Sequence, residues 1–380
     1  MKVGVDGRKL PGASTRSAVE NLEAAAELGM DGVFFRTVLD VTPTLDRHVL
    51  KELRRRADEL GLYLEMGLAK VNPYANAEAP EVRELGGGDY TAGMVRMMRA
   101  CAEIDCRELW VGTANYKPGL PGYHVFDRFR TDAPWSDQLA GIEKFLRVLR
   151  PVALDLGCHL NVETHEEITS FEVVRLVEAV GPDAIGITYD SANVVARGED
   201  PVAAARRVAP YVRMSHVRDV ALFRTDYGIG RMLAPCGEGV MDWPAILGAL
   251  GEHRPGLRLS IENSRDRTIM PMHVYDPAWL AAHPDLTTTE LAETFRLTHA
   301  YEDMAAAGER PTFDHLTGTP CDGPEQLRFI SRTAAHLREI LATDGEPDGE
   351  PDGEPDGEPD GEPDGEPGGE ADGESVRAAR

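Results

Sequence analysis

Short apolar runs alternate with longer amphipathic stretches through the first 263 residues of the chain. The first run, at 3–6, precedes a stretch at 16–28 in which Val19, Leu22 and Ala26 share one helical face. Further strand-like runs lie at 32–36, 63–69, 108–113, 159–165, 184–190, 212–219 and 258–263. Helices are predicted between them at 45–60, 90–104, 136–156, 170–180, 201–208 and 243–250. Eight strand–helix units in about 265 residues are typical of a (β/α)₈ barrel, which is an α/β fold.

A doubly wound open sheet is the alternative fold for this rhythm. Dinucleotide-binding sheets of that class carry a Gly-rich phosphate loop after the first strand. No such loop follows the first run here. We therefore predict a barrel core over residues 1–263.

Three predicted connections are longer than a simple strand–helix link requires. They lie at 70–89, 114–134 and 220–242, and all would extend from the catalytic face of the barrel. Connections of this length in compact domains are usually functional or disordered. A further stretch, 264–343, follows the last strand and contains predicted helices at 289–307 and 324–341. We predict a C-terminal helical extension whose first part folds over the barrel mouth as a lid.

The chain ends in an acidic tail that contains six successive DGEP repeats. Residues 344–380 include 15 acids and two arginines, with almost no apolar residue. Ordering them would bury little apolar surface to offset the lost conformational entropy. We predict a disordered acidic tail, and a cation-binding or interaction segment is the alternative.

Composition and charge exclude several classes of protein. The net charge of −25, shared between the tail and the rest of the chain, disfavours nucleic-acid binding. No run of about 18 apolar residues predicts a membrane span, and the amino terminus lacks the apolar region of a signal peptide. Five cysteines without a CxxC pair are typical of reduced thiols. We expect a cytoplasmic protein.

Four chemically reactive side chains close the last four strand-like runs. They are Glu163, Asp190, His216 and Glu262. All strand ends of a parallel α/β barrel meet at one face, so these side chains should converge. The set is rich in hard oxygen ligands and suits Mn²⁺, with Mg²⁺ or Co²⁺ as alternatives, better than a thiolate zinc site. The sequence therefore predicts one divalent metal ion at this face.

An ion in that position can bind two adjacent oxygens of a polyol or keto-sugar. It would polarise a carbonyl, acidify the neighbouring C–H and stabilise the enediolate that forms. Glu163 and Glu262 close strands that are three apart around the barrel. That placement suits two bases on either side of a substrate, one removing a proton and the other returning it.

Three neighbouring residues are predicted to bind the substrate. Strand alternation puts His165 on the same side as Glu163, and Arg218 on the same side as His216. Asn193 follows Asp190 and can point to the same face. The alternatives are a helix cap for Asn193, a salt bridge for Arg218 and a structural role for His165.

Several motifs carry a resemblance to a known family. They are ETH at Glu163, YDSANV at Asp190, APYVRMSHVRD ending at Asp219, PCGEGVMDWPAILGAL at 235–250 and LSIEN at Glu262. Together they resemble the xylose isomerase-like TIM-barrel superfamily, the sugar phosphate isomerase/epimerase group that includes D-tagatose 3-epimerase-like enzymes. The resemblance implies a sugar or polyol substrate and one divalent metal, often Mn²⁺. It also implies that both glutamates belong to the acid/base pair and that the metal ligands are Glu163, Asp190, His216 and Glu262.

The sequence departs from parts of that family. Asn193 stands where the epimerases often have His. DNA-repair members that resemble endonuclease IV need further His residues after the third and fourth strands, which here end in EMGLA and WVGT. This difference, with the acidic charge, argues against a DNA nuclease.

We therefore predict a metal-dependent isomerase or epimerase of a keto-sugar or polyol. The alternative is a lyase of the same superfamily: a dehydratase, a 3-oxo-acid decarboxylase or an enzyme that cleaves 3-keto C-glycosides. A second alternative is a noncatalytic barrel that binds a partner subunit. The sequence also leaves open whether the chain forms a homo-oligomer.

Overall fold

A computed structural model describes residues 1–263 and 266–343 of the chain. Within them lie eleven strands: β1 Lys2–Asp6, β2 Gly32–Phe35, β3 Tyr63–Lys70, β4 Glu108–Gly112, β5 His159–Glu163, β6 Ile185–Asp190, β7 Val212–Val217, β8 Asp219–Thr225, β9 Gly228–Ala234, β10 Arg258–Ile261 and β11 Met270–Met272. Strands β1 to β7 and β10 pair in parallel and close into a barrel in the order β1-β10-β7-β6-β5-β4-β3-β2. The predicted (β/α)₈ TIM barrel is confirmed, and the open sheet is excluded.

The helices of the described residues surround this barrel. They are α1 Ala18–Glu27, α2 Val38–Val41, α3 Arg47–Glu59, α4 Pro80–Leu85, α5 Tyr90–Glu103, α6 Trp135–Leu156, α7 Ser170–Val180, α8 Ser191–Ala196, α9 Pro201–Val208, α10 Trp243–His253, α11 Pro277–Ala281, α12 Thr288–Ala306, α13 Phe313–Gly318 and α14 Gly323–Thr343. Every helix predicted from apolar spacing is present, within a few residues at each end. No helix in this part of the chain is long and apolar enough to cross a membrane.

Local signals fix where several of these helices begin. Ser17 and Thr169 each form a capping box, with Glu20 and Glu172 respectively, at the start of α1 and α7. In such a box each side chain accepts a hydrogen bond from a backbone N–H that the helix itself cannot satisfy. The starts of α1 and α7 are therefore specified by short polar motifs that can be read from the sequence.

The core lies between the barrel wall and the outer helices. In α3 the buried residues Leu50, Leu53 and Ala57 recur at helical spacing, while arginines occupy other faces of the helix. Burial of each large aliphatic side chain contributes about 1.5–3 kcal/mol. Buried residues recur at helical spacing in α5 and α6 as well, and they pack those helices against the rest of the core.

The stretch 220–242 is not an extended loop, as the sequence analysis treated it. β8 and β9 form an antiparallel hairpin, and β11 joins as a third strand in the order β11-β9-β8. The hairpin satisfies its own backbone hydrogen bonds, so a long insertion after β7 can remain ordered. The other two long connections contain the short helix α4 and a few 3₁₀ turns.

The residues after the barrel pack on its outside and near its mouth. α14 contacts β1, β10 and α10, and α12 contacts β8 of the hairpin. Residues 266–269 lead from the barrel mouth into β11, which is an edge strand of the small sheet. The division of the chain at residue 263 and the role of this stretch as a lid stay predictions, and the predicted tail at 344–380 lies outside the described residues.

Candidate metal centre

Four side chains from four strand ends meet in one cluster at the barrel mouth. Each of Glu163, Asp190, His216 and Glu262 offers one ligand atom, and these atoms all lie within 4.8 Å of one another. The four residues are between 0% and 7% exposed. The structure thus brings together all four residues that the sequence nominated as metal ligands.

The parallel barrel places these residues side by side. Glu163 and Asp190 are the last residues of β5 and β6, and Asp190 pairs in register with His216 of β7. Glu262 comes directly after β10, which follows β7 around the barrel. Asp190 also caps α8, since one of its oxygens accepts from the backbone N–H groups of Ala192 and Asn193. The other Asp190 oxygen accepts from Nη2 of Arg218.

His216 lies between the two glutamates. Its Nδ1 is 2.8 Å from Oε1 of Glu163 and 3.6 Å from Oε2 of Glu262. The indole Nε1 of Trp110 donates to Oε2 of Glu163 at 3.0 Å. The ring of Phe34 lies 4.7 Å from the His216 ring, measured between centroids. Aromatic side chains therefore fix the orientation of both His216 and Glu163.

Two cations neutralise part of the carboxylate charge. Arg218 donates from Nη2 to Asp190 at 2.5 Å and lies 3.2 Å from Oε2 of Glu262. Nζ of Lys9 is 2.8 Å from the other oxygen of Glu262. Buried carboxylates need such partners because an isolated buried charge is costly.

The pKa values of the three carboxyl groups reflect their burial and the positive charges beside them. Burial opposes ionisation of Glu163, but the charge and hydrogen bond of His216 lower its pKa to about 2. Burial also opposes ionisation of Glu262, yet Arg218 and Lys9 hold its pKa well below the usual range. Burial raises the pKa of Asp190 to about 6. The glutamate charges thus depend on nearby positive charge, which is what a cation site requires.

The donor set fits a divalent cation. Three carboxylates and one imidazole converge on a buried point, and the basic side chains of Lys9 and Arg218 balance part of the carboxylate charge. Carboxylate and imidazole ligands are suited to Mn²⁺, Mg²⁺, Co²⁺ or Zn²⁺. The described cluster contains no thiolate ligand. These residues therefore fit a divalent metal site.

The three predicted substrate-binding residues lie around this centre in different ways. Arg218 and His165 line the cavity at the barrel mouth. His165 is held by Glu167, whose Oε2 is 2.5 Å from Nδ1, and its Nε2 lies 3.5 Å from Glu166. Asn193 is fully buried and accepts from Nη2 of Arg218 at 3.1 Å. Their contacts with a substrate stay predictions.

The cavity above the cluster has a volume of about 580 Å³. Its lining includes residues that the sequence analysis did not single out: Asp6, Lys9, Phe34, Arg36, Arg231 and Asp266. Most come from the ends of β1 and β2 or from the residues just after them, and Asp6 ends β1 as Glu163 ends β5. The available signal was position, since Arg36 directly follows the apolar run of β2.

Comparison with known proteins gives a consistent family. The model of the xylose isomerase-like TIM barrel family matches residues 22–289. The uncharacterized protein YihM of Escherichia coli (strain K12) is 28% identical over 37% of this chain and 43% of its own length. The 3-oxo-isoapionate decarboxylase of Pectobacterium atrosepticum is 26% identical over 59% of this chain and 70% of its own length. The inosose dehydratase of Geobacillus kaustophilus is 25% identical over 38% of this chain and 50% of its own length.

Solved structures with the same fold agree. A D-psicose 3-epimerase with D-tagatose from Clostridium cellulolyticum H10 has a TM-score of 0.53 at 15% identity, covering 82% of this chain and all of that chain. An IolI protein with a bound zinc atom has a TM-score of 0.50 at 17% identity, covering 79% of this chain and 99% of that chain. At these identities the structures support the fold alone. The family model, which matches well over half of the chain, shows that this protein belongs to the xylose isomerase-like TIM barrel family.

Proposed function

We propose that this protein is a divalent-metal-dependent isomerase or epimerase of a keto-sugar or polyol. The observation that carries the proposal is the convergence of three carboxylates and one imidazole at adjacent strand ends, beneath a cavity large enough for a sugar. The family contains relatives named as epimerases, a dehydratase and a decarboxylase. Proton transfer next to a carbonyl is chemistry that such a site can perform.

The proposed metal ligands are Glu163, Asp190, His216 and Glu262. A bound ion, for which we propose Mn²⁺, would polarise a substrate carbonyl and stabilise negative charge on its oxygen. No thiolate lies in the cluster, which favours a hard cation. All four residues are buried. Charge interactions are stronger in such an environment than in bulk water.

The two glutamates are proposed to move the proton. In the barrel order, β5 and β10 lie on either side of β6 and β7, so Glu163 and Glu262 end the two outer strands of a four-strand arc. A substrate lying across that arc would have one carboxylate near each side. Trp110 keeps the Glu163 carboxylate in place by donating to Oε2, and Lys9 does the same for Oε1 of Glu262. One glutamate would accept the proton and the other would return it to the substrate.

The experiment incubates the protein with 2-keto and 3-keto sugars in D₂O and follows the sugars by proton NMR. The protein is either freed of Mn²⁺ and reconstituted with Mg²⁺, or used in its Mn²⁺ form with samples quenched before measurement. Isomerase or epimerase activity predicts deuterium uptake beside the carbonyl and a new isomer with the same carbon skeleton. The matched control is His216→Ala, which removes one ligand. Absence of exchange with every sugar of the panel in the reconstituted parent would contradict the proposed function.

A lyase is the second candidate, and the relatives favour it specifically. The decarboxylase of Pectobacterium atrosepticum matches over 70% of its own length, and the dehydratase of Geobacillus kaustophilus over half. A dehydratase would expel hydroxide, which leaves as water, after the same proton removal. A decarboxylase would instead lose carbon dioxide directly, and the enediolate left by the broken carbon–carbon bond would then be protonated. The NMR experiment separates the two, since release of carbon dioxide or another fragment, or a dehydrated product in place of an isomer, supports the lyase.

A further inference from the structure

One basic residue of the cavity differs from the others in its partners. Four basic side chains from the described residues line the cavity: Lys9, Arg36, Arg218 and Arg231. Lys9 pairs with Glu262 at 2.8 Å, Arg218 pairs with Asp190 at 2.5 Å, and Arg231 lies 3.4 Å from Glu166. Among the residues that the structure describes, Arg36 makes no such ion pair, and no hydrogen bond from its guanidinium is present.

Arg36 is nevertheless held in a defined place. Its Cζ lies 5.2 Å from the centroid of the Trp110 ring, which is a cation–π arrangement. The Trp110 ring is itself fixed, because its Nε1 donates to Glu163 at 3.0 Å. The guanidinium is therefore positioned through one aromatic ring relative to a proposed metal ligand, while its N–H groups have no acceptor within residues 1–263 and 266–343.

The position of Arg36 in the barrel gives it a distinct role. It follows β2, whereas the four proposed metal ligands end β5, β6, β7 and β10. In the closed barrel, β1 separates β2 from β10, and β3 and β4 separate β2 from β5. β2 therefore lies on the other side of the barrel from the strands that carry the proposed ligands. A substrate that reaches the metal centre with its carbonyl would therefore extend its remote end toward the β1–β4 side, where Arg36 lies.

The chemistry of this side chain indicates which group it would bind. A guanidinium presents its N–H groups in a planar fork that matches a carboxylate, and such charged hydrogen bonds are stronger than neutral ones. A neutral sugar hydroxyl does not need a permanent cation at that position. Burial disfavours the charge of Arg36, whereas the charges of nearby carboxylates, Glu262 and Glu163 first among them, raise its pKa. Among the described residues, none of these carboxylates forms an ion pair or hydrogen bond with the guanidinium, as they do with Lys9 and Arg218.

We propose that Arg36 binds a carboxylate on the substrate, so that the site takes an acidic keto-sugar in preference to a neutral one. This inference rests on the proposed function, because it names the substrate class of the same cavity. Arg36 is a specificity-determining residue in this account. The proton transfer remains with the glutamates.

The test measures equilibrium binding to the metal-loaded full-length protein by isothermal titration calorimetry. The ligands form matched pairs that differ only at the carbon remote from the ketone: D-fructuronate against D-fructose, and D-tagaturonate against D-tagatose. The variants are Arg36→Met, which keeps a long side chain but removes the charge, and Arg36→Lys, which keeps the charge but removes the planar guanidinium fork. Arg224→Met is the control, since Arg224 is exposed and pairs with Glu302 away from the cavity.

In the parent and in Arg224→Met, each acid should bind about tenfold or more tightly than its neutral partner, as expected for a charge-assisted hydrogen bond. Arg36→Met should reduce this advantage to about twofold or less while leaving the affinity for the neutral sugar nearly unchanged. Arg36→Lys should retain an intermediate advantage. Bound metal and circular dichroism check that each variant is folded, and Arg36→Gln replaces Arg36→Met if that variant fails to fold.

Three results would overturn the assignment of Arg36. The acid and the neutral sugar could bind equally to the parent, or neither could bind. The acid could keep its advantage in Arg36→Met, which would place its carboxylate elsewhere, including on the metal. Arg36→Met could also weaken both ligands equally, which would make the residue a general structural element.

The same ligands separate this inference from the proposed function. Arg36-dependent binding of the acids without deuterium exchange in D₂O would retain the carboxylate subsite and reject the isomerase. Exchange of neutral ketoses with no advantage for the acids would retain the isomerase and reject the subsite.

Discussion

At the scale of single residues, the sequence identified the carboxylates, the histidine and Arg218, but not the second cation, Lys9. Glu163, Asp190 and His216 could be found because each closes an apolar run and because strand ends of a barrel converge. Lys9 could not, since it lies three residues beyond the end of β1, and its contact with Glu262 depends on β1 and β10 being neighbours. Such pairing between distant parts of the chain is absent from any local pattern.

The first prediction concerns the two proposed proton-transfer residues. Glu163→Gln and Glu262→Gln keep the size of the side chain and one oxygen ligand but remove the base. Each variant should retain some metal and lose turnover by about 10²–10⁴-fold, the usual contribution of a general base. Turnover and metal content are measured together, with the exposed Glu84→Gln as control. If both variants turn over like the parent, the glutamates do not move the proton.

The second prediction concerns Glu65, a buried carboxyl inside the barrel. One oxygen accepts from Ser260 at 2.9 Å, the other has no hydrogen-bond partner among the described residues, and burial raises its pKa to about 7. The folded state therefore holds a proton that the unfolded state releases at lower pH. This contribution to stability is fully present below about pH 4.5 and is lost as the pH rises to about 7.

Glu65→Gln should remove that pH dependence. Relative to the parent, its free energy of unfolding should rise by about 3 kcal/mol between pH 4.5 and pH 8, the value expected for a shift of about 2.5 units. Urea unfolding at several pH values measures the difference, with Glu84→Gln as control. A constant difference between parent and Glu65→Gln across this range would show that the Glu65 carboxyl is ionised in the folded protein.

At the scale of elements, regular strands and helices were predicted and the inserted hairpin was not. The stretch 220–242 contains two apolar runs separated by Asp226 and Tyr227, a pair that is not among the Gly-containing pairs typical of a two-residue hairpin turn. The local sequence therefore marks this hairpin only weakly. β11 offered less to find, since it has three residues and pairs with β9 from beyond the last barrel strand.

The third prediction concerns Asp219, which ties this hairpin to the turn before α10. Its carboxylate accepts from the backbone N–H of Val220, Gly237, Val240 and Met241, and from Nε1 of Trp243. Asp219→Ala would leave several buried donors without a partner, at about 1–3 kcal/mol for each unsatisfied group. We expect a loss of about 3 kcal/mol or more in the free energy of unfolding.

Thermal and urea unfolding test this prediction. Asp226→Ala is the matched control, because Asp226 is exposed at the tip of the same hairpin. The control should change stability by less than about 0.5 kcal/mol. Equal stability of Asp219→Ala and Asp226→Ala would mean that the Asp219 network does not hold the turn.

At the scale of the whole molecule, the barrel could be predicted because its repeating unit is local. Each strand–helix unit carries its own apolar spacing and caps, and right-handed parallel connection leaves few ways to assemble eight of them. The placement of α14 against β1 and β10 could not be predicted in this way. Apolar residues such as Phe329, Ile330 and Leu337 give α14 a buried face but do not specify which surface it covers.

The fourth prediction concerns the acidic segment after α14. Because residues 344–380 contain almost no apolar side chain, they offer little surface to bury against the barrel. A chain that ends at Thr343, the last residue of α14, should keep the melting temperature and turnover of the full chain. Differential scanning calorimetry and activity measure both. A fall of many degrees would show that the segment stabilises the folded protein.

The measurement that tests the central claim most directly is calorimetric titration of the chelator-stripped protein with Mn²⁺, in parallel for the parent and His216→Ala. The parent should bind one ion per chain, at the site that includes His216. His216→Ala, which has three ligands left, should bind at least about tenfold more weakly. Absence of saturable binding in the parent, or equal affinity in the two proteins, would contradict the assignment of this cluster as a metal centre.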